Sequence, residues 1–210
     1  MTFRWVASLV LLAGALALAG GCLLLGEGPL ASPEARHLRA MKWRTTAPAR
    51  VDSVGFADIV ALPHVTTLAQ RAALERRGVR LTGWNQRLML AGDGDVHLEL
   101  TPTPRRPGGY DTAYVTCEIT PRWRARAPGW SWDRLVEAFR PTHGGATAWD
   151  GGAQQVRVTG WLMYDYAYDH VPSPWSITHG APRLSGWEIH PVTRIERWDG
   201  ARGAWAEVAR

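Results

Sequence analysis

The stretch Val79-Arg-Leu-Thr-Gly-Trp-Asn-Gln-Arg-Leu-Met-Leu-Ala-Gly-Asp-Gly-Asp-Val-His-Leu-Glu-Leu-Thr101 decides the fold. Val79–Ala91 reads as a β-strand, Asp93-Gly94 as a tight hairpin tip where a positive φ is needed, and Asp95–Thr101 as the returning strand. Strand side chains alternate faces, so Asp95, His97 and Glu99 share one face. The solvent face of a half-buried strand would look the same, and the Asp-Gly pair needs only a turn to explain it. The pattern acquires chemical interest because the chain does it twice. In Gly186-Trp-Glu-Ile-His-Pro-Val-Thr-Arg-Ile-Glu196, Glu188 and His190 again lie two apart on one strand face.

Outward from the hairpin, the remaining elements follow from punctuation. Val54–Leu62 is expected as a first strand ended by Pro63, and Thr66–Arg77 as a short helix stopped by Gly78. Asp111–Thr120 reads as a strand and Ser131–Phe139 as a helix with Ser131 as N-cap. Gln155–Tyr164 and Gly186–Trp198 are further strands, and Asp199-Gly200 marks another turn. The result is mainly β with two short helices, at turn spacings that suit a small β-barrel of the oligonucleotide/oligosaccharide-binding (OB) type, since one helix falls between strands. The segment Asp165–Arg183 has no periodicity. With Tyr164, Tyr166, Tyr168, Asp165, Asp169, His170 and His179 in or beside it, it suits a ligand loop or an irregular insert.

The N-terminal quarter is different. Residues 5–25 are uncharged and long enough to cross a hydrocarbon core of about 30 Å. A cleaved signal peptide, an uncleaved membrane anchor and a lipoprotein signal ending at Cys22 all fit 1–25, and Leu23-Leu-Leu25 beyond Cys22 favours the anchor. Residues 26–50, with Pro29, Pro33 and Pro48, read as a basic tether to a domain at 51–210. Within 31–50, Arg36, Arg39, Lys42, Arg44 and Arg50 stand against Glu34, so most of the net charge of +5 sits where anionic lipid head groups would meet it. The same basic residues pull the C-terminal side towards the cytoplasm, while the N-terminal layout favours export to the cell envelope.

From 51 onwards 18 arginines face 17 acidic residues, a balance that argues against a broad nucleic-acid footprint. The lone lysine, Lys42, falls in the tether, which takes lysine-based chemistry out of the domain. Cys22 and Cys117 are the two cysteines; one lies in the apolar segment and one in a strand, which argues against an internal disulfide, and their number excludes a cysteine-rich zinc site.

Two constellations carry candidate chemistry. Asp95, His97, Glu188 and His190 form two His–carboxylate pairs; if the strands met, they would hold a divalent ion such as Zn²⁺ or Mn²⁺. Val79-Arg-Leu-Thr-Gly-Trp84 recurs as Val156-Arg-Val-Thr-Gly-Trp161, which places Arg80, Trp84, Arg157 and Trp161 on outward positions. Such an aromatic–cationic face stacks bases or sugar rings, although six residues also match by strand composition alone. Nucleophile-elbow, phosphate-loop, Cys-x-x-Cys, His-Glu-x-x-His and dinucleotide signatures are absent.

At these strands the chain resembles a group of uncharacterised bacterial proteins. They share a D-G-D-x-H-L-x-L strand, a central valine/glycine strand and a closing [WG]-x-E-[IL]-H-P-V strand, here Asp93–Leu100, Val156–Trp161 and Trp187–Val192. The resemblance covers about half of the domain and brings no activity with it. The Asp-Gly-Asp element is also similar to that of staphylococcal-nuclease-like barrels, which are OB-type folds; the threonine that follows in that family is replaced here by Val96-His97.

Three functions are consistent with these residues. The first is a membrane-tethered extracytoplasmic binding module for nucleic acid or oligosaccharide, using Arg80, Trp84, Arg157 and Trp161. The second is a metal-dependent hydrolase using Asp95, His97, Glu188 and His190, and the third a structural envelope protein.

Overall fold

The computed structural model describes residues 31–64, 67–104, 114–139, 148–168 and 183–209. The apolar segment 5–25, with Cys22, lies outside them, as do Asp169, His170 and His179 of the long loop. Among the described residues no helix is long and apolar enough to cross a membrane. The chain divides into two compact units, Met1–Met41 and Lys42–Arg210. The described part of the first is mostly helix α1 (Pro33–Lys42), inside the segment read as a tether. Ser32 caps it, accepting from the Ala35 N–H at 3.0 Å, and Glu34 sits in its first turn where the helix dipole favours it.

The second unit begins at Lys42, nine residues before the boundary expected at Val51. Its strands are β1 (Val51–Val54), β2 (Gly78–Leu90), β3 (Val96–Thr101), β4 (Val115–Ile119), β5 (Ala148–Tyr164), β6 (Trp187–Asp199) and β7 (Ala204–Glu207). Neighbours run β1-β2-β3-β4-β6-β5, and β5 pairs back onto β2. Strands β2, β3, β4, β6 and β5 therefore close into a five-stranded barrel, with β4 and β6 parallel and the other pairs antiparallel. β1 is added parallel to β2, and β7 antiparallel to β6. The OB-like barrel expected from the element order is the fold of this chain.

Several elements differ from their sequence reading. Val54–Leu62 is not a strand: β1 ends at Val54 and helix α2 (Phe56–Val60) follows. The cause is local, since Asp58 Oδ2 reaches back 2.7 Å to the Gly55 N–H and satisfies an orphan donor at the helix start. Helix α3 (Leu68–Leu74) begins at a reciprocal cap between Thr67 and Gln70. Gly78 opens β2 rather than merely closing that helix; a Cβ there would lie 2.3 Å from the Arg50 carbonyl oxygen. The hairpin loop spans Ala91–Asp95, with Gly94 at φ +88° and Asp93 Oδ1 accepting from the Asp95 N–H at 3.1 Å. Helix α4 (Pro121–Arg124), capped by Thr120, and the short strand β7 were not anticipated. Helix α5 (Trp132–Phe139) starts at Ser131 as expected; it and α4 fill the connection between β4 and β5.

Alternate strand positions fill the core with Leu81, Leu88, Leu98, Leu100, Cys117, Val158, Ile189 and Ile195, all fully buried. Each large aliphatic side chain among them contributes about 1.5–3 kcal/mol by leaving water. Trp130 and Trp187 add aromatic bulk, and their indole N–H groups reach the Val208 and Pro63 carbonyls at 3.2 and 2.9 Å. The face of β3, β4 and β6 opposite this core carries the chemistry.

Candidate metal centre

Three adjacent strands build the centre. Antiparallel pairing sets His97 opposite Glu118 and Glu99 opposite Thr116. The parallel register Cys117↔Ile189 then brings the next residue of each strand together, Glu118 beside His190. The hairpin loop adds Asp95 at the end of β3. All four residues of the proposed His–carboxylate set converge, joined by Glu118.

His190 is the hub and is fully buried. Its Nδ1 is hydrogen-bonded to Glu188 Oε1 at 3.0 Å. Glu118 Oε2 lies as close to the same nitrogen, at 2.9 Å. On the other side of the ring, Nε2 faces Asp95 Oδ2 at 3.5 Å and has no hydrogen-bond partner. His97 Nε2 stands 3.3 Å from Glu118 Oε1. Asp95, Glu118 and His190 can each offer one ligand atom within 4.8 Å of the other two.

Burial dominates the electrostatics. It pushes Asp95 up to about 7 from an ordinary 3.8, with His190 pulling the other way. Burial likewise raises Glu99 to about 7 against the pull of Arg87, and raises Glu188, helped by the neighbouring Glu118 charge. For Glu118 the upward push of burial is overcome by His97 and His190, which hold it well below the usual carboxylate range. For His190 burial disfavours the charge, but Glu118 and Glu188 outweigh it and raise the ring to about 10. Burial lowers His97. The carboxylates crowd one another in a poorly solvated site, which a cation relieves.

Two cations already border the site, and neither was expected there. Arg183 is placed by a backbone bridge to Tyr114 at the start of β4. Its guanidinium meets Glu188 at 2.9 Å and Glu118 at 3.6 Å, and it packs 3.8 Å from the Tyr168 ring centroid. Lys42, assigned from sequence to a lipid-facing tether, stands 4.0 Å from both Asp93 and Glu118. Lys42 thus belongs to the barrel unit rather than to a separate tether; burial pulls its ammonium down, but Glu118 and the other carboxylates around it hold it above the ordinary range, so it stands there as a cation and not as a base. A cavity of about 400 Å³ opens beside the cluster, its wall including Lys42, His97, Glu99, Tyr114, Glu118 and Arg183.

The aromatic–cationic set is arranged differently. The two similar segments pair with each other antiparallel, Val79 opposite Gly160 and Trp84 opposite Gln155, which leaves Trp161 at one end of the ladder, opposite Gly78, and Trp84 near its middle. Arg80 donates to Thr159 Oγ1 at 3.3 Å. Arg157 is taken up by Glu196, at 2.8 and 2.5 Å, and lies 4.7 Å from the Trp205 centroid. Trp161 donates to the Thr46 carbonyl at 2.7 Å beneath Arg44.

Glu118 was the main residue missed. Its signal is a glutamate, the one charged residue of the strand run Val115-Thr-Cys-Glu-Ile119, every residue of which is buried. An unpaired carboxylate is costly there, so its presence announces a partner.

Fold and site together define an OB-like barrel with a histidine–carboxylate centre on the outer wall of β3, β4 and β6. No protein-family model matches the chain, and no curated protein matches it. Among solved structures it is similar to an OBody bound to hen egg-white lysozyme, at 16% identity and a TM-score of 0.32, over 66% of this chain and 98% of that one.

Proposed function

We propose that this protein is a metal-dependent hydrolase centred on Asp95, Glu118 and His190. The observation that carries the reading is the buried Nε2 of His190, without a hydrogen-bond partner and facing Asp95 Oδ2 at 3.5 Å. A histidine fixed on its Nδ1 side by a carboxylate, as Glu188 fixes this one, is in the arrangement by which proteins orient metal-ligating imidazoles. Three protein ligands leave a coordination position to be filled, and one of them, Glu118, lies on the cavity wall; an open position distinguishes catalytic from purely structural sites. A divalent ion there supplies Lewis acidity and lowers the pKa of water. Within this chain, Glu99 lines the cavity as an acid–base group titrating near neutrality, and His97 orients Glu118.

The N-terminal part belongs to the same reading: residues 5–25 as anchor or export signal, the basic stretch after them near anionic lipid, and the barrel in the cell envelope. Kinship with the bacterial group sharing the D-G-D-x-H-L-x-L and W-E-I-H-P-V strands is included, because those strands supply Asp95, His97, Glu188 and His190.

A second reading, binding of nucleic acid or oligosaccharide through the aromatic–cationic face, is favoured by one observation. Trp198, still 40% exposed, packs edge-on against Trp205, on the side where Arg157 covers Trp205. The two are separated by titrating the EDTA-treated protein with Mn²⁺ or Zn²⁺ and following the melting temperature. A rise in wild type that is absent in His190→Gln supports the metal centre. No rise with either ion rejects it, and quenching of tryptophan fluorescence by oligonucleotide or oligosaccharide then supports the second reading.

A further inference from the structure

We infer that the cavity beside the centre takes a ligand carrying an oxyanion, and that Lys42 is the residue that binds it. The inference rests on the hydrolase reading for its biological sense, but the anion site stands on its own geometry. Lys42 is the chain's only lysine, and its side chain is 23% exposed at the cavity wall. Its ammonium is 4.0 Å from Asp93 Oδ2 and 4.0 Å from Glu118 Oε2, too far for a hydrogen bond to either. None of its three N–H donors has an acceptor among the described residues. A charged, largely desolvated ammonium in that position is completed by an acceptor entering the cavity.

The chain after Lys42 is fixed as a positioning device would be. Three successive carbonyls are each held by a long side chain of the barrel unit. Trp123 Nε1 donates to the Arg44 carbonyl at 2.9 Å, Arg126 to that of Thr45 at 2.9 Å, and Trp161 Nε1 to that of Thr46 at 2.7 Å. Arg44 in turn donates to the Glu75 carbonyl at 2.8 Å and lies 4.7 Å from the Trp161 ring centroid. This attachment restricts the reach of Lys42 to the mouth of the site. The same cavity is lined by Arg183 and Tyr114, so an oxyanion held by Lys42 has a second cation within the cavity, although Asp93, Glu99, Glu118 and Asp165 line it too. Phosphate-type and carboxylate-type groups share this chemistry.

The test is calorimetric titration of the full chain with inorganic phosphate and, separately, with acetate, in Mn²⁺ and again in EDTA. Wild type, Lys42→Ala, Lys42→Arg and Trp161→Phe are compared, with melting curves to show that each variant folds. Lys42→Ala is expected to weaken the preferred anion at least tenfold. Lys42→Arg should lose less, and Trp161→Phe, which keeps an aromatic ring but lacks the donor to Thr46, should fall between. Tighter phosphate binding marks a phosphoryl substrate and tighter acetate binding a carboxylate; either supports the inference. Lys42→Ala binding like wild type, or a wild type that binds neither anion in both conditions, overturns it. Failure of the metal reading appears separately, as the absence of Mn²⁺ binding before any anion is added.

Discussion

His190 Nε2 and Asp95 Oδ2 face each other across 3.5 Å, both side chains buried, and no hydrogen bond joins them. Removing the proton from the ring there leaves two ligand atoms aimed at a shared point. With His190 raised to about 10 and Asp95 to about 7, both bind protons that a metal ion must displace. Metal affinity should therefore rise with pH, by about tenfold per unit near pH 8 and more steeply near pH 6, where Asp95 is also protonated. Calorimetry in two buffers of different ionisation enthalpy should find about one proton released per ion at the higher pH and approaching two at the lower. A pH-independent affinity would remove His190 from the ligand set.

Asp95 itself yields a crossing of stabilities. Its folded pKa of about 7 lies above the ordinary 3.8, so the fold prefers the neutral carboxyl. Stability is lost as pH climbs between those values and stays lost above them. Asparagine is neutral throughout. In EDTA near pH 8, Asp95→Asn should be the more stable protein, by on the order of 2 kcal/mol, and the advantage should vanish near pH 4. With saturating Mn²⁺ the order should reverse, because the amide is the poorer ligand. A variant that is less stable than wild type in EDTA at both pH values would contradict the burial argument.

The sequence made the barrel and half of the centre legible for a physical reason. Period-two alternation is a local signal, and in Asp95–Thr101 and Gly186–Trp198 it places the histidines and carboxylates on one face of each strand without reference to any other. What joins those faces is non-local. Glu118 reaches His190 through a parallel pairing between β4 and β6, strands about seventy residues apart, and no pattern within either strand encodes that register. Lys42 was misplaced because composition was read as flexibility: the Pro- and Arg-rich stretch looked like linker, while its order comes from carbonyls bound by Trp123, Arg126 and Trp161, distant in sequence. The first strand was placed too far along the chain for the opposite reason. Val54–Leu62 is apolar enough for a strand, but the cap from Asp58 to Gly55 is satisfied only by a helix.

On the far side of the barrel, Arg157 and Glu196 form a bidentate pair across β5 and β6. The Arg157 hydrogen bonds hold Glu196 below its ordinary 4.5, against the push of burial. A depressed carboxyl stabilises the fold at neutral pH, and this contribution disappears as pH falls through the folded pKa. Glu196→Gln should cost about 1 kcal/mol near pH 7, the scale of a partly exposed pair, and nothing once wild-type Glu196 is protonated. Urea melts of both proteins at neutral and strongly acidic pH measure the difference directly; a cost that persists unchanged in acid would assign it to packing against Trp205 instead.

Gly78 is where the segment carrying Lys42 meets the barrel. β1 pairs in parallel with β2 from Val51 opposite Gly78, and the backbone just before it crosses directly over the glycine. A Cβ at Gly78 would lie 2.3 Å from both the Arg50 carbonyl oxygen and Pro48 Cβ, and neither is the free end of a flexible side chain. Alanine must therefore push residues 48–51 outward, at about 1–3 kcal/mol for an overpacked contact. The strain should be local, because β2 also pairs with β5, which does not depend on β1. Hydrogen exchange in Gly78→Ala should accelerate across 44–54 while Leu81, Leu98 and Val158 in the barrel stay protected. Under the anion-site proposal the same variant should bind phosphate or acetate more weakly although Lys42 itself is intact. Uniformly faster exchange throughout the barrel would instead make residues 48–54 part of its cooperative core, and Gly78 a requirement of folding.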